Sequence, residues 1–192
     1  LVGNKIIYKA INSCISFVPS LNGKQLLIVE DLVSDDGKLH PVQDAMVKFH
    51  GSQCGFCTPG FVMSLFAMYK NFKKFDNDTI EETLSGNLCR CTGYRPIIDA
   101  AKSLNNKKDS DHFKEKQKIT IKLLKKINNK EIKISYKNKK YFSPKSLSSL
   151  RKIIKQNPNS HFLSGGTDLS LEVTKLRGEI KGMISLNSVK EL

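Results

Sequence analysis

Four cysteines, in "SQCGFCTPG" (52–60) and "GNLCRCTGYRP" (86–96), constrain this chain more than any other feature. Cys54-x2-Cys57 and Cys89-x-Cys91 have 31 residues between the pairs, so a fold that uses all four must bring two distant loops together. Each pair sits among small residues: Ser52 and Gly55 around the first, Gly86, Thr92 and Gly93 around the second. Three chemistries use such a set. Structural zinc takes four thiolates, usually from two C-x2–4-C pairs, and the tighter Cys-Arg-Cys departs from that habit. A redox dithiol would use "CGFC" at a helix N-terminus and leave the second pair idle. An iron–sulfur cluster employs every thiolate, and glycine lets backbone N–H groups approach an inorganic sulfide closely. On spacing alone, cluster and zinc both remain open.

The pattern around the cysteines is helical. In "PVQDAMVKFHG" the apolar residues Val42, Ala45, Met46 and Phe49 recur at helical spacing, Pro41 suits the first turn, and Gly51 is placed to end the helix. A second helix follows Pro59 and is broadly apolar through Phe61, Val62, Leu65, Phe66, Met68 and Tyr69. "DNDTIEETLSGN" predicts a third, capped by Asp78 or Thr79 with Glu81 and Glu82 in its first turn and Gly86 after its end. "RPIIDAAKSLN" predicts a fourth, opened by Pro96. Helix N-termini at Pro59 and Pro96 would place positive partial charge beside an anionic centre. Ahead of this bundle, "KIIYK" (5–9) and "KQLLIVEDL" (24–32) read as short strands, and "VSDDGKLHP" (33–41) as a turn built on Asp36-Gly37. Behind it, residues 105–118 are polar and charged and read as a linker. Then come a hairpin, "EIKISYKNKKYF", with Asn138 at its tip; a helix with Leu147, Leu150, Ile153 and Ile154; and strands "HFLSGG" and "GMISL". These read as a β-α-β-like unit just begun, without room for its sheet.

Composition excludes several classes. No apolar run nears the ~18 residues of a membrane span, and the opening Leu1-Val2-Gly3 leads to the expectation of no signal peptide. Five cysteines are an odd number, which argues against a disulfide framework and for a reducing, cytoplasmic compartment. The formal charge of +14 lies wholly in residues 102–192, where 22 Lys+Arg face 8 Asp+Glu; residues 1–101 balance ten against ten. The excess is lysine among Asn and Ser, without interleaved stacking aromatics, and reads as a solvated face, with no nucleic-acid partner expected.

"GSQCGFCTPGFVMS" together with "GNLCRCTGYRPI" resembles the helical [2Fe-2S] domain of the molybdenum hydroxylases, the family of xanthine dehydrogenases and aldehyde oxidases. The resemblance implies that Cys54, Cys57, Cys89 and Cys91 ligate a cluster near the molybdenum cofactor, and that Gln53 contacts the pterin of that cofactor. "INSCI" (11–15) is similar to the last ligand of a plant-type ferredoxin domain, which implies that Cys14 belongs to a second [2Fe-2S] site whose other ligands are missing. "FLSGGTDLSLEVTK" (162–175) resembles the pyrophosphate loop of the family's FAD domain, implying a partial FAD site over Leu163, Ser164, Gly165, Gly166, Thr167, Asp168 and Leu169. Gly165-Gly166 between a strand and a helix exposes backbone N–H groups to phosphate, which fits that role.

The implied fold is α+β. The end of a β-grasp ferredoxin domain (1–33) precedes an all-helical [2Fe-2S] bundle (41–105), a linker (106–130) and the start of an α+β FAD-binding domain (131–192). The chain is expected to be a fragment of the iron–sulfur/FAD subunit. A molybdopterin-binding large subunit is its implied partner in a hetero-oligomer, with NAD the implied electron acceptor and oxidation of hypoxanthine or xanthine to urate the implied reaction. An aldehyde oxidase or other molybdenum hydroxylase is the near alternative, and a zinc-stabilised helical binding module with a basic tail the distant one.

Overall fold

In a computed structural model, which describes residues 1–106, 111–127 and 130–192, helices begin where the sequence supplies a proline or a capping side chain. Helix α1 (Pro41–Lys48) starts at His40, whose ring accepts the Val42 N–H while the Gln43 side chain accepts the His40 N–H. It ends in a Schellman turn: His50 takes the left-handed conformation (φ 55°), its N–H reaching the Val47 carbonyl and that of Gly51 the Met46 carbonyl. The left-handed residue is therefore His50, where Gly51 was expected to end the helix. Helix α2 (Thr58–Asn71) carries Pro59 in its first turn and buries all six apolar side chains read from its sequence. Helix α3 (Asn77–Leu84) is capped by Asp76, which accepts the Thr79 N–H (2.9 Å) and hydroxyl (2.7 Å). Asp78 and Thr79 are thus not the cap, and of the acidic residues only Asp78 lies in the first turn. Helix α4 (Arg95–Ser103) has Pro96 in its first turn.

The chain divides into two compact units, Leu1–Ala10 with Leu26–Lys122, and Ile11–Gln25 with Leu123–Leu192. In the first, Val42, Ala45 and Met46 of α1, the apolar face of α2, Ile80 and Leu84 of α3, and Ile97, Ala100 and Ala101 of α4 form one core. Burial of each large side chain is worth roughly 1.5–3 kcal/mol. Residues 5–9 and 24–28 are not strands, and Val29–Leu32 is a 3-10 turn. Their polar backbone is satisfied by side chains instead of a ladder. Asn71 bonds both the N–H and the carbonyl of Tyr8, Gln43 donates to the Val29 carbonyl, and Tyr8, Leu27, Val29 and Leu32 pack singly on the helical core.

The polar stretch read as a linker contains helix α5 (His112–Ile127). Its Lys, Glu and Gln are good helix formers whose charge masks a sparse apolar spacing, with only Leu124 fully buried. Residues 107–110 and 128–129 of that stretch lie outside the described residues. In the second unit, β1 (Ile132–Tyr136) and β2 (Lys139–Ser143) form the expected hairpin, turning at Lys137-Asn138 with Lys137 left-handed. Helix α6 (Leu147–Gln156), strand β3 (His161–Leu163), helix α7 (Leu169–Thr174) and strand β4 (Gly182–Ser185) follow. Strand β4 pairs in parallel with both β2 and β3, giving the order β1-β2-β4-β3. The expectation that the unit lacks room for its sheet is corrected: four strands close it, and Leu147, Leu150, Ile153 and Ile154 of α6 cover Phe142, Ile184 and Val189.

Candidate metal centre

Both cysteine loops are fastened to the N-terminal end of α2. In the first, the Ser52 and Thr58 hydroxyls bond at 2.7 Å, the Thr58 N–H reaches the Gly55 carbonyl, and Gly55 takes φ 86°, open to glycine at no cost. In the second, the Asn87 amide donates to Ser64 of α2 at 2.8 Å. A Cβ on Gly60 would lie 3.0 Å from Asn87 Oδ1, so the small residue at 60 permits the approach. After Cys91 the chain reverses through two consecutive left-handed residues, Gly93 (φ 66°) and Tyr94 (φ 68°). That conformation is strained for tyrosine. It returns the Tyr94 hydroxyl over the loop, where it accepts the Cys89 N–H at 3.1 Å.

This fastening gathers the four thiols into two cross-loop pairs. Cys91 Sγ lies 3.4 Å from Cys54 Sγ. Cys57 and Cys89 lie close enough for each to shift the other's acidity. Among the described residues no three His, Cys, Asp or Glu side chains converge on one metal ion. Two pairs, each with one cysteine from either loop, match the demand of a [2Fe-2S] rhomb, in which each iron takes two thiolates. The donor set therefore fits the cluster. Acidity differs around the set. The Phe56 N–H and then the Cys91 thiol lower Cys54; its contact with Cys54 raises Cys91; burial and then Cys89 raise Cys57. Cys89, bonded by the Thr92 hydroxyl and amide, is lowered to about 7.

Gln53 is exposed beside Cys54. Cys14 stands on a 3-10 turn in the second unit, its Sγ 3.8 Å from Asn12 Oδ1. Leu163 ends β3, and Ser164, Gly165, Gly166, Thr167 and Asp168 form the loop into Leu169 and α7. Gly166 is left-handed (φ 83°), and a Cβ there would lie 2.7 Å from Leu163 Cδ1. Its carbonyl receives the Ser170 N–H and hydroxyl, and the Ser164 carbonyl receives the Asn187 side chain. Sequence reading missed three contributors, Thr92, Tyr94 and Asn87. Hydroxyl, aromatic and amide residues flanking a cysteine pair were the available signal.

The [2Fe-2S] binding domain family matches residues 28–102. Aldehyde oxidase 1 of Oryctolagus cuniculus is 46% identical over 114 residues, 59% of this chain and 8% of that protein. Xanthine dehydrogenase of Blastobotrys adeninivorans is 51% identical over 102 residues, 53% of this chain and 7% of that protein. Among solved structures, quinoline 2-oxidoreductase from Pseudomonas putida 86 is 43% identical, covering 39% of this chain and 46% of that one at a TM-score of 0.37. The chain thus matches under a tenth of the length of these curated relatives. Residues 28–102 thus match the [2Fe-2S] binding domain family, and over half of the chain is similar in sequence to xanthine dehydrogenases and aldehyde oxidases.

Proposed function

We propose that the chain is the electron-transfer portion of a molybdenum hydroxylase, a xanthine dehydrogenase by preference. On this reading Cys54, Cys57, Cys89 and Cys91 hold one [2Fe-2S] cluster. When bound, that cluster supplies a one-electron carrier. The observation that carries the reading is the cross-loop pairing of the thiols, with Cys54 and Cys91 at 3.4 Å. The chain's own residues do three things: two loops supply anionic ligands, Ser52, Thr58, Asn87 and Tyr94 fix their spacing, and the core of α2 and α4 shields the Cys89 side. Exposed Gln53, beside Cys54, is placed to meet a molybdopterin group on a partner chain or segment.

The loop 163–169 is the proposed start of an FAD site. Among the described residues, the N–H groups of Gly165, Gly166 and Thr167 donate no hydrogen bond, which leaves them available to phosphate oxygens. Cys14 is the proposed last ligand of a second cluster whose remaining ligands would come from elsewhere. Oxidation of xanthine, with NAD as final acceptor, is proposed from the family resemblance of the cysteine loops. The primary test is iron and acid-labile sulfide on the purified chain, with the EPR spectrum of the reduced sample. About two irons and two sulfides per chain with a [2Fe-2S] signal support the reading; a colourless protein carrying zinc overturns it.

A further inference from the structure

Of the four cysteines, Cys89 alone is buried and receives a set of side-chain and backbone hydrogen bonds from one neighbour, Thr92. The Thr92 hydroxyl lies 3.0 Å from Cys89 Sγ, and the Thr92 N–H points at the same sulfur from 3.5 Å. Either atom of the hydroxyl contact can donate while Cys89 carries its proton. Tyr94 N–H donates to Thr92 Oγ1 at 3.2 Å, so the oxygen acts as acceptor there and its proton remains available to the sulfur. A metal-bound thiolate carries no proton, which fixes the hydroxyl as donor in the loaded protein. The left-handed Gly93-Tyr94 turn holds this relay, and Tyr94 is anchored at its far end by its hydroxyl on the Cys89 N–H and by its ring against Phe61.

We propose that Thr92 is a positioning residue that sets the reduction potential of the cluster through its hydroxyl on Cys89. The inference rests on the [2Fe-2S] reading above. Reduction adds one electron to the cluster and so one unit of negative charge, part of which resides on the thiolate sulfurs. A donor aimed at a sulfur stabilises the reduced state more than the oxidised one and raises the potential. The relay through the Tyr94 amide polarises the hydroxyl and strengthens the effect. Burial matters as well: the same bond at exposed Cys54 or Cys91 would be diluted by water.

The test is an EPR-monitored redox titration of the cluster in the whole chain, unsubstituted and as Thr92→Val and Thr92→Ser. Valine keeps the shape and removes the donor; serine keeps the donor. Thr92→Val should shift the midpoint to lower potential by about 60 mV, a tenfold change in the oxidised-to-reduced ratio for a one-electron couple. Thr92→Ser should stay near the unsubstituted value, with iron content equal in all three. An unchanged midpoint in Thr92→Val, or an equal fall in Thr92→Ser, overturns the proposal. A second measurement needs no variant: exchange into D2O should shift the Fe–S(Cys) stretches in the resonance Raman spectrum of the unsubstituted chain, and no shift overturns it. Absence of any cluster from the unsubstituted chain overturns the [2Fe-2S] reading along with it, whereas a cluster indifferent to Thr92 removes this inference alone.

Discussion

Phe56 is 97% exposed between Cys54 and Cys57, and Leu88, directly before Cys89, is 83% exposed, while Cys89 itself is buried. At the scale of single residues the site is thus asymmetric, with one thiol set into the core and two at the surface. Substitution should report that asymmetry. Cys57→Ser and Cys89→Ser each remove a proposed ligand, and a serine hydroxyl is a poor substitute for thiolate at iron. Both variants should lose most of their iron and sulfide, read by metal and acid-labile sulfide analysis, while far-UV circular dichroism stays close to that of the unsubstituted chain. Full iron content in both would refute the assignment. The four clustered cysteines were legible in the sequence because their spacing is a covalent fact. The partners Thr92 and Tyr94 were not, since their contribution depends on the left-handed turn at 93–94, which brings a hydroxyl back toward a residue already passed.

Among the elements, α5 changes the picture most. Asp111, just before it, is buried; it accepts the Lys114 N–H at 2.8 Å, pairs with Lys70 of α2, and lies 2.9 Å from His40 Nε2 at the start of α1. Burial alone would raise its pKa, but the hydrogen bonds from His40 and Lys70 prevail and hold the carboxyl well below its usual value of 3.8. A carboxylate depressed in the folded state contributes stability that is fully present above the ordinary value and is lost as pH falls below it. Asp111→Asn should therefore cost about 3 kcal/mol near neutral pH, the order for breaking a buried pair. In urea titrations the gap to the unsubstituted chain should narrow as pH is taken from 5 toward 2; a gap that widens would contradict the ion-pair account. Sequence reading placed the four bundle helices well because proline and apolar spacing are local signals. It missed α5, whose anchor is an aspartate that gains meaning only beside His40 and Lys70, 71 and 41 positions away. It also assigned strands to 5–9 and 24–32, where alternating apolar residues pack singly against helices and Asn71 takes the place of a neighbouring strand.

At the level of the whole molecule, the cysteine centre and the glycine loop belong to different compact units. Gly166→Val forces a β-branched side chain into a left-handed backbone, a strain of roughly 1–3 kcal/mol, with a Cβ contact of 2.7 Å on Leu163. In a full-length version, FAD occupancy, measured by released flavin fluorescence, should fall while iron content holds; iron lost with flavin retained would show that the loop has no flavin role. The exposed pair at the rim of the centre bears on how such a molecule is made. Cys54 and Cys91, with sulfurs 3.4 Å apart, are close enough that oxidation needs only small motions to join them. A chain released without iron in air should close that bridge, losing two protons and two electrons to the oxidant, and then refuse the cluster until it is reduced. Mass spectrometry of alkylated protein should find Cys54 and Cys91 blocked together and Cys89 still free. The order of manufacture is thereby built into the fold: metal must arrive before oxygen does.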